Sequence, residues 1–68
     1  MSQLTIEEVK AFLRKHASDI AKRFAGGDGV CKNIVSAIHY YNLNQNEVSE
    51  RWLITATEEY MKEVNSES

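Results

Sequence analysis

Few side chains in this 68-residue chain are able to do chemistry, and their spacing decides whether they do. The single cysteine, Cys31, and His39 stand eight residues apart on what reads as one helix. That is about 12 Å along the axis, too far for a thiol and its general base. His16 falls inside an apolar stripe, with Ser18 and Asp19 close by in sequence. Neighbours on a helix project in different directions, so they make no nucleophile–base array. A zinc set drawn from His16, Asp28, Cys31 and His39 has none of the ligand spacings such sites use. Gly26-Gly-Asp-Gly29, followed by Val30, Cys31 and Lys32, offers exposed N–H groups to a phosphate. It lacks the spacer, the Gly-Lys pair and the following hydroxyl residue of a P-loop, and a helix-to-helix loop accounts for its glycines. The expectation is a chain with no catalytic residues, no metal ligands and no cofactor, acting by binding rather than as an enzyme.

Binding to nucleic acid is the sharpest alternative. Gln45-x-x-Val48-Ser49-Glu50-Arg51-Trp52 resembles the opening helix of small helix-turn-helix repressors. In one register the tight turn falls on Leu53, where a left-handed backbone is costly, and a core position falls on Glu59. The helical pattern runs unbroken through Leu53, so this register fails. In the other, residues 42–44 form the turn, Leu43 plugs the angle and Val48 is the buried anchor. Gln45, Asn46, Ser49 and Arg51 then face DNA, and Asn and Gln side chains suit adenine. Glu47, Glu50, Glu58 and Glu59 crowd that reading helix, leaving it poorly supplied for phosphate. DNA binding is therefore the second reading.

The elements that must position these residues are helices. Proline is absent, so nothing in the chain forbids long ones. Thr5-Ile-Glu-Glu8 has the spacing of a capping box. Ile6, Val9, Leu13, His16, Ala17, Ile20 and Phe24 then recur at threes and fours, with Phe12 on one margin. Lys15, Asp19 and Arg23 share the opposite side, spaced as solvated ion pairs. Ala25-Gly-Gly-Asp-Gly29 ends this helix, with Asp28 placed to cap the next. Val30, Cys31, Ile34, Val35, Ala37, Ile38 and Tyr41 give the second helix one apolar face. Asn44-Gln-Asn-Glu47 repeats the capping-box spacing before a third. The spacing predicts an all-α, three-helix single domain over residues 1–68, with helices at about 5–24, 29–41 and 45–65 and a polar tail at 66–68.

The third helix carries the most telling pattern. Trp52, Leu53, Ala56, Tyr60 and Val64 form one stripe, and Ile54 and Met61 widen it to roughly 200°, about twice what one core contact requires. Two shorter helices in so small a chain are not expected to cover that arc. Tyr40, Trp52, Ile54 and Met61 are accordingly the expected protein interface, with Tyr40 standing off the second helix's apolar face. The implied partner is a second copy in a homodimer, another protein, or both. Charge is uneven as well. Residues 1–35 carry six Lys or Arg against four acidic groups, and residues 36–68 carry two against six. The halves are expected to neutralise each other within or between chains. One thiol and the uncharged opening MSQLT suggest a soluble cytoplasmic protein without a signal peptide, and no apolar run approaches the length of a membrane span. The function expected is that of a small interaction or regulatory protein.

Overall fold

The computed structural model describes residues 4–67, and residues 1–3 and 68 lie outside it. The described residues form four helices: α1 (Ile6–Lys15), α2 (Ala17–Ala25), α3 (Gly29–Leu43) and α4 (Glu47–Glu67). No strand occurs among the described residues. The first helix begins as expected. The Glu8 N–H donates to Thr5 Oγ1 at 3.1 Å and the Thr5 N–H donates to Glu8 Oε1 at 2.9 Å, which satisfies two backbone donors reciprocally. Glu7 and Glu8 in the first turn and Arg14 and Lys15 in the last complement the helix dipole.

The single helix expected over 5–24 is two helices, which makes the domain four-helical rather than three-helical. The break falls at His16, whose backbone leaves the helical region at φ −103°, ψ 13°. The corner is held by the His16 N–H donating to the Phe12 carbonyl at 3.0 Å and the Ile20 N–H donating to the His16 carbonyl at 2.9 Å. The His16 ring stacks on Phe12 with centroids 4.2 Å apart and meets Tyr60 edge-on at 6.0 Å, filling the corner. The physical reason for the bend lies in the packing partners. α1 rests mainly on α4 and α2 on α3, and one straight stripe cannot face both. Past the break the expected stripe is re-aimed, so that Ile20 is buried while Ala17 and Phe24 are exposed.

Residues 26–28 reverse the chain. Gly27 takes φ +90°, a conformation that glycine alone adopts readily. Asp28 caps α3 as its position predicts, with Oδ1 accepting from the N–H groups of Val30 at 2.8 Å and Cys31 at 3.1 Å. α3 runs two residues beyond its expected end. The third break differs from the expected Asn44/Glu47 box. Asn46 Oδ1 accepts from the Ser49 N–H at 2.9 Å, and Ser49 Oγ accepts from the Asn46 N–H at 3.0 Å. α4 therefore starts at Glu47 rather than 45. It also continues to Glu67, so residues 66 and 67 of the expected tail are helical and only residue 68 lies outside the described chain.

α3 and α4 form an antiparallel hairpin along their length. Tyr40 meets Trp52 near the turn, and at the far end Asp28 and Glu63 line the same open cavity. Ala37 and Ala56 are fully buried, one on each helix. The core comprises Val9, Leu13, Ile20, Cys31, Ile34, Ala37, Tyr41, Leu53, Ala56 and Tyr60. Two polar residues join it, each satisfied locally: Thr57 Oγ1 donates to the Leu53 carbonyl at 2.8 Å, and Ser49 serves the cap. Among the described residues no helix is long and apolar enough to cross a membrane.

Candidate interaction surface

The broad apolar arc of α4 is present, and the chain itself covers most of it. Buried positions 49, 53, 56, 57 and 60 form the centre. One flank, bearing Trp52 and Glu63, faces α3. The other, bearing Ile54, Met61 and Val64, faces the α1 side. α4 thus lies in the cleft between its neighbours, which is how two shorter helices suffice to cover so wide a stripe.

The four expected interface residues do not form one patch. Tyr40 is half-buried and its ring lies 5.6 Å from that of Trp52, so it completes an intramolecular pair instead of standing free. The Trp52 indole N–H donates to Asn33 Oδ1 at 3.0 Å, which fixes that ring from the other side. Ile54 is half-buried against the core and, with Leu4, Glu47, Glu50 and Arg51, lines a shallow cavity of about 170 Å³. Met61 is half-buried seven residues further on, walling a cavity of about 320 Å³ with Phe12, His16, Tyr60, Val64 and Asn65.

Among the described residues the most exposed large apolar side chains are two that only the helix-turn-helix alternative placed inside. Leu43 is 66% exposed and Val48 is 68% exposed, on either side of the turn at 44–46. Val48 shares a shallow depression of about 250 Å³ with Glu47 and Arg51. Glu47 and Arg51 also line the cavity beside Leu4 and Ile54. Glu47 and Arg51 therefore lie between Val48 and the partly covered Leu4 and Ile54 on the α1 side of α4. The signal for the exposed Val48 was available: counting helical positions back from the buried Leu53 and Ala56 turns Val48 away from the core.

The same register corrects the base-facing set. Gln45, Asn46 and Arg51 are exposed, but Ser49 is fully buried with its hydroxyl engaged in the cap. Neither Val48 nor Leu43 plugs the angle between helices. The antiparallel course of α3 and α4 also differs from the wide crossing of a helix-turn-helix pair.

A polar cluster that the sequence reading placed in solvent closes the opposite end of the hairpin. Arg23 donates through Nε to Asp19 Oδ2 at 2.8 Å and through Nη1 to Glu63 Oε2 at 3.0 Å. The Tyr60 hydroxyl donates to the same Asp19 carboxylate. These bonds, Tyr60's first and Arg23's second, hold the Asp19 carboxyl below the ordinary aspartate range. Burial pushes the Tyr60 phenol up to about 12 and the Cys31 thiol up to about 11. A thiol that is protonated at neutral pH and enclosed in the core is a poor nucleophile. Cys31 is buried in α3 while His39 is exposed on the same helix, so the two do not meet. His16 is half-buried and engaged with two aromatic rings. No known protein family, no curated protein and no solved structure matches the chain.

Proposed function

We propose that this chain is a small non-enzymatic interaction or regulatory protein that works through an apolar helical surface and associates with a second copy of itself. The observation that carries the reading is the exposure of Leu43 and Val48 beside one turn. Burying both side chains against a partner is worth a few kcal/mol at roughly 25 cal/mol per Å². Half-buried Ile54 and Leu4 extend the same end of the molecule, and Glu47 and Arg51 between them supply both signs of charge for a rim. A protein this short also gains stability from association, because its own core is small. A reducing cytoplasmic setting fits the lone buried thiol.

The test separates two faces of α4. Light scattering on Leu43→Glu/Val48→Glu and on Ile54→Glu/Met61→Glu identifies which pair abolishes association. Loss of the dimer in the first pair supports the turn-centred surface, whereas loss only in the second moves the contact to the α1 flank. Monomeric wild-type protein at high concentration ends the self-association reading. The enclosed Ser49 and outward-facing Val48 depart from the register that the nucleic-acid alternative needs.

A further inference from the structure

Among the described residues Arg51 is the one cationic side chain lining either depression at the start of α4. It shares the first with Glu47 and Val48, and the second with Leu4, Glu47, Glu50 and Ile54. Glu47, Val48, Arg51 and Thr55 fall on one face of α4, and all four are exposed. Glu47 and Arg51 stand four positions apart with the acid first, the order that favours an ion pair within a helix. Yet among the described residues neither Arg51, Glu47 nor Glu50 takes part in an ion pair, whereas Lys10, Arg23 and Lys62 do. One guanidinium and two carboxylates thus stand unpaired beside the exposed Val48.

We propose that two copies pack this face antiparallel about a two-fold axis, with Arg51 of each copy on Glu47 of the other. The inference rests on the turn-centred dimer proposed above and supplies its orientation. A two-fold contact is reciprocal: where residue 51 meets the partner's Glu47, residue 47 meets the partner's Arg51. The axis then crosses α4 level with Ser49, midway between the two. Each Val48 side chain sits about 1.5 Å from it along the helix, so the two valines cover each other. Leu43, as exposed as Val48, adds apolar area at the same turn.

Charge complementarity selects the occupant. An acidic partner, nucleic acid included, would neutralise Arg51 but meet Glu47 and Glu50 beside it, and a basic partner would meet Arg51. A partner carrying both signs at matching spacing satisfies all three, and a second copy supplies that by construction. Each copy brings two carboxylates and one guanidinium, so a register that leaves Arg51 outside the contact sets carboxylates against carboxylates. Arg51 is therefore the residue that fixes the register.

Charge exchange across the contact tests the pairing, read by sedimentation equilibrium at low and high salt, with circular dichroism confirming that each variant is helical. Arg51→Glu alone and Glu47→Arg alone each oppose like charges twice, and each should weaken self-association about tenfold or more at low salt. An equimolar mixture of the two should regain the dimer mass, because unlike copies again join opposite charges. Glu47→Arg/Arg51→Glu in one chain should likewise self-associate, and added salt should narrow all these differences. A merely structural role for either residue gives no rescue on mixing. Single variants that dimerise as wild type does, or a mixture that stays at the protomer mass, overturn the pairing and leave the turn-centred dimer standing. Wild-type protein that stays at the protomer mass overturns the dimer itself and the pairing with it. Should Glu47→Arg not fold, Arg51→Glu is compared with Arg51→Gln, which removes the attraction without adding repulsion. A larger loss in Arg51→Glu supports the pairing, and equal losses overturn it.

Discussion

Tyr60 on α4 places its hydroxyl on the carboxylate of Asp19 on α2, forty-one positions earlier in the chain. The phenol ring is fully enclosed, in edge contact with Phe12 at 5.9 Å and with the Arg23 guanidinium 5.8 Å from its centroid. One side chain therefore joins the core to the polar cluster at the hairpin's open end.

Tyr60→Phe keeps the ring and removes the tether. The expected cost is about 1 kcal/mol, or some 4–8 °C in melting temperature for a domain of this size. Asp19 is held low mainly by this bond, so its contribution is present above the ordinary aspartate value and lost as pH falls through the lowered one. In the variant the Asp19 midpoint should move up toward the ordinary value, and acid unfolding should begin at higher pH. Urea melts across the acidic range check both effects.

Ser49 is the cap residue whose loss should be felt most. Its hydroxyl accepts from the Asn46 N–H and donates to a turn carbonyl within a fully buried site. Ser49→Ala should cost about 1–2 kcal/mol at an unchanged denaturant slope. Gln45→Ala, exposed four residues earlier, should stay within about 0.5 kcal/mol.

These caps show what was legible in the chain. Thr5 with Glu8, Asp28 before α3, and the glycines at 26–27 are local signals, and local geometry fulfils them. The Asn44/Glu47 and Asn46/Ser49 pairs offer the same spacing, so spacing alone did not choose between them. Nothing marks the bend at His16: there is no proline or glycine, and the cause is that the two halves rest on different helices. Arg23–Glu63 and Asp19–Tyr60 join residues forty or more apart, which periodicity does not reveal. The amphipathic width of α4 was readable, but the depth to which α4 sinks between α1 and α3 was not. That depth moved the exposed apolar surface to Leu43 and Val48.

The two glycines flanking Asp28 should respond in opposite ways. Gly27 has open space for a methyl group but sits at φ +90°. Gly27→Ala is therefore expected to destabilise by about 1–2 kcal/mol through backbone strain alone. Gly29, in the first turn of α3 with nothing within 4 Å of an added Cβ, should gain about 0.4–1 kcal/mol on substitution by Ala. Thermal melts of the two single variants provide the comparison.

Leu43→Glu/Val48→Glu should leave the isolated protomer's fold intact, because neither side chain supports the core. Its helical circular dichroism at low concentration should match wild type. A collapse of helicity there would mean that these residues matter to the fold itself.

Sedimentation equilibrium over a wide concentration range decides whether the surface at Leu43 and Val48 joins two copies. The wild-type weight-average mass should climb toward twice the protomer mass while the Leu43→Glu/Val48→Glu variant stays at one. A wild-type protein that remains at the protomer mass throughout, or a variant that self-associates as strongly as wild type, contradicts self-association through that surface.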